Sequence, residues 1–149
     1  MKLKNVLIVC SVMSLITSAW ACPDLSGEWT CESQDGTTLV EVTQNGFNYH
    51  IVSNDGTTSD ITADGVTRDN VLEGQDENGN PVSIAVKETA TCSEVTVNLH
   101  QQNTPTPEFP YVFTIDSAWT KVGDRQVNGQ FNFTMMGRSE ISSTTCYKN

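Results

Sequence analysis

The stretch CPDLSGEWTC, residues 22–31, places two cysteines, a glycine and a tryptophan within one strand's length, directly after an apolar leader. Read with the period of two of an extended chain, Leu25, Gly27, Trp29 and Cys31 share one face, and Ser26, Glu28 and Thr30 point the other way. A face that alternates leucine, glycine, tryptophan and cysteine is built to be covered. Its reading decides the fold, because the rest of the chain repeats the same alternation.

Phe47, Tyr49 and Ile51 fall on one face of FNYHIV, Val82, Ile84 and Val86 on one face of VSIAV, and Val95, Val97 and Leu99 on one face of VTVNL. Farther on, YVFTIDSAW does the same with Tyr111, Phe113, Ile115 and Trp119, and FNFTM with Phe131, Phe133 and Met135. Polar residues occupy the opposite faces, the signature of an antiparallel sheet with one wet side. Asp35-Gly36, Asn45-Gly46, Asp55-Gly56, Asp64-Gly65, Asn78-Gly79 and Asn128-Gly129 punctuate these runs. Such pairs tolerate the positive φ angles of tight hairpins, so most of them should reverse the chain. No stretch sustains a helical repeat. The one long connection, Gln101 to Pro110, carries three prolines and reads as a loop over one end of the molecule.

The spacing predicts an all-β, antiparallel, up-and-down β-barrel of about eight to ten strands. An even count sets the first and last strands antiparallel, so that they close on each other and remove both edges. A closed barrel needs its end plugged. Trp29 is large enough to do so, its indole N–H bonded to a carbonyl and a cation stacked on its ring, with Gly27 leaving it room.

Residues 1–21 read as a secretory signal: Lys2 and Lys4, an apolar core from Val6 to Ile16, and Ala19-Trp20-Ala21 as the cleavage site. The core is shorter than the ~20 residues a membrane span requires. Cleavage predicts one domain over residues 22–149, exported to the periplasm or secreted, with no transmembrane segment. The alternative is a lipoprotein anchored at Cys22, against which bulky Trp20 stands in the cleavage motif. Cys10 leaves with the leader, and Cys22, Cys31, Cys92 and Cys146 remain. An even number of cysteines without a Cys-x-x-Cys pair favours disulfides over metal ligation.

Of 8 basic and 18 acidic residues, the leader takes two lysines, leaving 6 against 18 and a net charge of −12. Nucleic acid, which needs a basic footprint, is excluded as a partner. The acidic surface either keeps an exported protein soluble or steers a basic protein partner towards it. His50 and His100, the only histidines, fall between inward-facing neighbours and should point outward. No nucleophile elbow or phosphate loop occurs. Asp76 to Asn80 lacks the alternating ligands and closing glutamate of a calcium loop and reads as a polar turn. The Asn132-Phe133-Thr134 sequon lies inside a strand. The chain is therefore read as having no catalytic residues, no metal and no cofactor.

With Gly27-Glu28-Trp29 on the first strand and Lys148 near the end of the last, the chain resembles the lipocalin-like (calycin) barrels. In those barrels Gly-x-Trp opens the sheet and a basic residue covers the tryptophan, more often arginine than lysine. The resemblance implies structural roles for Gly27, Trp29 and Lys148, and a register in which paired numbers sum to 177. That register sets Cys31 opposite Cys146 and leaves Cys22 to Cys92. A register nine residues away, joining Cys22 to Cys146, is the competitor. Cys22 and Cys31 themselves are about 30 Å apart on extended chain, against the ~7 Å a disulfide allows.

The likeness points to a compact exported protein that binds a small apolar or amphipathic ligand. The expected contacts are Tyr49, Tyr111, Phe113, Phe131 and Phe133. It is similar also to small exported barrels that inhibit proteases or lysozymes, and an inhibitor of a basic hydrolase is the alternative. The two differ in the barrel interior, which is either open or filled by the same aromatics.

Overall fold

The computed structural model describes residues 21–75, 78–107 and 109–149. The signal-peptide reading and the first part of the Asp76 to Asn80 turn thus lie outside the described residues. Ten strands follow one another: β1 (Gly27–Ser33), β2 (Gly36–Asn45), β3 (Asn48–Ser53), β4 (Thr58–Thr62), β5 (Asp64–Gln75), β6 (Pro81–Cys92), β7 (Thr96–Asn103), β8 (Phe113–Lys121), β9 (Gln126–Met135) and β10 (Arg138–Lys148). All belong to one antiparallel sheet in the order β4-β3-β2-β1-β10-β9-β8-β7-β6-β5. The fold is a nearly closed, ten-stranded, up-and-down β-barrel with no helix among the described residues.

The first and last strands do meet. Trp29 stands opposite Lys148 and Cys31 opposite Cys146, the register summing to 177. Disulfides join Cys31 to Cys146 and Cys22 to Cys92. The expectation that closure removes both edges is corrected, because β4 and β5 remain unpaired with each other and form a seam. The cause is local: Ala63 alone separates β4 from β5, too little chain for a hydrogen-bonded reversal. Its N–H instead donates to Phe47 O at 2.8 Å. Beyond it β5 enters a ladder with β6, shifted in register between Asp64 and Thr67.

Four of the six Asn-Gly and Asp-Gly pairs lie at hairpin turns, those ending at Gly36, Gly46, Gly56 and Gly79. Asp64-Gly65 forms the irregular start of β5, and Asn128-Gly129 lies inside β9. Gly129 is there for packing. A Cβ on it would sit 2.7 Å from Thr144 Cγ2, 2.9 Å from Trp119 Cζ3 and 3.0 Å from Trp119 Cε3. The glycine that gives an indole its room is therefore Gly129, and the indole is Trp119.

Gly27 has a different task. Its φ of 126° is a conformation side chains rarely adopt, and a Cβ would meet Lys148 Cε at 2.8 Å. It clears a path for the lysine, whose Nζ reaches Ser26 O at 2.8 Å and lies 5.4 Å from the centre of the Trp29 ring. Trp29 is buried, and its Nε1 donates to Leu25 O at 2.8 Å. The end of the barrel holding β1's start and β10's finish is thereby closed.

Both buried clusters lie at that end. One gathers Tyr49, Ile61, Ala63, Ala90, Cys92 and Val97, and the other Trp29, Cys31, Val127 and Cys146. The lead-in before β1 is strapped across them. Cys22 is bonded to Cys92, Pro23 O accepts from the Tyr49 hydroxyl at 3.0 Å, and Leu25 N donates to Gln44 Oε1 at 2.9 Å. Phe47 and Val95 are expected on the inward face but are exposed, because each lies in a turn beyond its strand.

Candidate functional site

Inside the barrel lies a cavity of about 420 Å³. On one side β1 to β4 supply Trp29, Val42, Tyr49, Ile51 and Ile61 to its wall. On the other side β7 to β9 supply Leu99, Ile115, Trp119 and Phe131. Trp119 and Phe131 meet edge to face at 5.0 Å between ring centres, a favoured aromatic arrangement. The polar lining is sparse: Ser53, Ser59, Ser117 and Gln101. Water gains few hydrogen bonds in such a chamber, and an apolar group entering it gives up little.

Of the five aromatic residues expected to touch a ligand, Tyr49 and Phe131 line this cavity and three do not. Phe113 is buried beyond it, its ring 5.5 Å from that of Phe133. Tyr111 is 47% exposed and Phe133 37%. Tyr111 leaves the inward face because β8 begins only at Phe113, so Tyr111 belongs to the loop rather than to the alternation. With Phe109, which contacts both Tyr111 and Phe113 edge to face, these residues form an aromatic group at the far end of the barrel. Asn103 fixes this loop's return, accepting from Phe113 N at 2.7 Å and donating to Tyr111 O at 2.8 Å. The proline-rich connection runs from residue 104 to residue 112 between β7 and β8, and its expected start is corrected, because Gln101, Gln102 and Asn103 still pair within β7.

Tyr49 is both wall and anchor. Burial, reinforced by the Asp24 charge, pushes its hydroxyl up to about 12, and the neutral O–H is the form that donates to Pro23 O. Its oxygen in turn accepts from Gln44 Nε2 at 3.2 Å. A ligand in the cavity therefore meets the tyrosine ring rather than a free hydroxyl.

Sequence reasoning missed Gln101 and Ser117, which face inward, and Glu88, which stands behind Gln101. The signal was present. Gln101 continues the alternation of Val97 and Leu99, Ser117 lies between Ile115 and Trp119, and Glu88 between Val86 and Ala90. A polar residue on an apolar face is the informative exception.

The outer face of β6 to β10 bears a second hollow, of about 460 Å³, lined by short polar side chains such as Thr89, Asn98, Gln130 and Asn132. His100 Nδ1 meets Asp116 Oδ1 there at 2.6 Å, and His50 meets Asp60 in the same way at 2.7 Å on β3 and β4. Both pairs are directly cross-strand; His100 and Asp116 are about half exposed, and so is His50, whereas Asp60 is largely exposed. Among the described residues no group of three or more histidine, cysteine or acidic side chains is placed to hold a metal ion.

A small β-barrel around an apolar chamber has an architecture compatible with a binding protein. No protein-family model matches this chain, and no curated protein matches it either.

Proposed function

We propose that this chain is an exported, lipocalin-like binding protein that takes a small apolar or amphipathic ligand into its barrel, and that it binds without catalysing. The observation that carries the reading is the 420 Å³ apolar cavity, within the roughly 300 to 1,000 Å³ of small-molecule sites. Its closed end, with Lys148 over Trp29 beside Gly27, matches the lipocalin-like pattern and supports that resemblance. Two disulfides fit an oxidising compartment. The rival reading, an inhibitor of a basic hydrolase, draws on the acidic surface and calls for a filled barrel, and the cavity weighs against it.

The test uses residues 22–149, oxidised, titrated with the neutral dye N-phenyl-1-naphthylamine. Trp29 and Trp119 both line the cavity, so energy transfer from indole to dye reports occupancy directly. Saturable uptake of one dye per barrel is expected. No uptake, together with salt-sensitive capture of a basic hydrolase, would overturn the reading in favour of the rival.

A further inference from the structure

Beside the cavity lies a carboxylate that forms no ion pair among the described residues. The inward face of β6 runs Ile84, Val86, Glu88, Ala90, Cys92, and Glu88 is only 9% exposed. Burying a carboxylate costs heavily unless it is paired and fully hydrogen-bonded. Glu88 is neither. One oxygen, Oε2, accepts both of its bonds, from Asn70 Nδ2 at 2.9 Å and Gln101 Nε2 at 2.7 Å. Among the described residues no lysine, arginine or histidine forms an ion pair with it. Arg68, opposite it in the β5–β6 ladder, acts on it through its charge alone; its guanidinium is bonded to Asp64, donating to both carboxylate oxygens and holding that carboxyl down at about 2.

Gln101 joins this group to the cavity. It lines the cavity wall, and its amide nitrogen is turned to Glu88, which leaves Oε1 as the amide's uncommitted end. The Oε1 of Gln101 thus stands at one side of an apolar chamber with no donor assigned to it, and the Glu88 carboxylate, not itself on the wall, lies directly behind that amide. The hydroxyl of Ser117, also on the wall, serves as donor or acceptor and does not alter the balance.

We infer that the Glu88–Gln101 pair reads the polar end of the ligand, and that the ligand is an amphiphile with a hydrogen-bond-donating, positively charged head, an alkyl- or arylammonium. The inference rests on the carrier reading above. An ammonium head supplies donors and neutralises the buried charge, whereas a fatty carboxylate would bring a second anion and more acceptors to the same place. The apolar body then occupies the space between Trp29 and Phe131.

The experiment is displacement of N-phenyl-1-naphthylamine at pH 7 by decylamine, decanol and decanoate, each below its aggregation threshold. Decylamine is expected to displace the dye at concentrations at least tenfold lower than decanoate, with decanol between them. In Glu88→Gln the advantage of decylamine should shrink to less than threefold while decanol is unchanged. That outcome also separates the site from general attraction to an acidic surface, which loses only one of 18 negative side chains. Gln101→Leu should have the same effect, and the wild-type comparison decides even where a variant fails to fold. Absence of dye uptake by the wild type overturns the carrier reading and this inference with it. Dye uptake with decylamine no better than decanoate, or a preference that survives in Glu88→Gln, overturns the inference and leaves the carrier reading standing.

Discussion

Gly27→Ala tests how the closed end of the barrel is held. At a φ of 126° alanine is strained by about 1 to 3 kcal/mol wherever its methyl points. That methyl also falls 2.8 Å from Lys148 Cε and 3.3 Å from its Nζ, so the lysine has to leave. Its departure breaks the 2.8 Å charged hydrogen bond to Ser26 O, worth about 1.5 to 3 kcal/mol. The cation over the Trp29 ring goes too, worth about 0.5 to 1 kcal/mol more. The expected loss is about 3 to 7 kcal/mol in all, larger than most single substitutions produce.

Lys148→Ala alone removes the same contacts without the strain and should cost about 2 to 4 kcal/mol. In the double variant the methyl has nothing to strike, so only backbone strain is added to the loss of the lysine. The two single costs should therefore overshoot the double by about 2 to 4 kcal/mol, a coupling well beyond the ~0.5 kcal/mol scatter of independent sites. Urea unfolding of the oxidised protein, followed by tryptophan fluorescence, measures all four corners of the cycle. Additive costs, or a Gly27→Ala change below about 1 kcal/mol, would refute the account of Gly27 as the residue that admits the lysine.

Three further outcomes are expected. Tyr49 titrates near 10 in an unfolded chain and at about 12 in the fold, so its contribution is whole below pH 10. It declines as pH rises through this interval, a slope in thermal stability that Tyr49→Phe should abolish and that would count against the burial argument if it persisted. Replacing both Cys31 and Cys146 by alanine opens a link between residues 115 apart and should cost about 4 to 5 kcal/mol on the chain-entropy account. A loss under 1 kcal/mol in urea would contradict it. Ser117→Leu places an isobutyl group in the cavity at a position 8% exposed, and should weaken dye uptake at least tenfold with the melting temperature kept or raised. Unchanged uptake would locate the dye outside the barrel, most simply in the hollow around His100.

What could be read in advance follows from which interactions are local. Alternation and turn pairs are properties of neighbouring residues, and they specify the strands and most reversals without any knowledge of partners. The register of β1 on β10 is not local, and it was legible only through the resemblance that sets Lys148 over Trp29, an offset that also places Cys31 opposite Cys146; the residues alone left the register joining Cys22 to Cys146 open. The roles of the glycines were not legible. That Gly129 clears Trp119 while Gly27 clears Lys148 depends on three-dimensional neighbours 10 and 121 positions away in the chain. The seam was also hidden, since a single residue between β4 and β5 is visible only once both strand ends are known.

The ligand contacts illustrate the same division. Aromatic residues were chosen because they are large and apolar, yet large side chains are also those that fill space, and Phe113 does so beyond the cavity. An empty volume arises where side chains are too short to meet. Ser53, Ser59 and Ser117 share the wall with Trp29 and Trp119; each serine side chain is smaller by two heavy atoms than a leucine and by five than a phenylalanine. Small polar residues at inward positions of an otherwise apolar strand therefore mark the chamber more directly than the aromatics do. The one buried acid among those inward positions, Glu88, then gives that chamber a chemical preference that its volume alone does not.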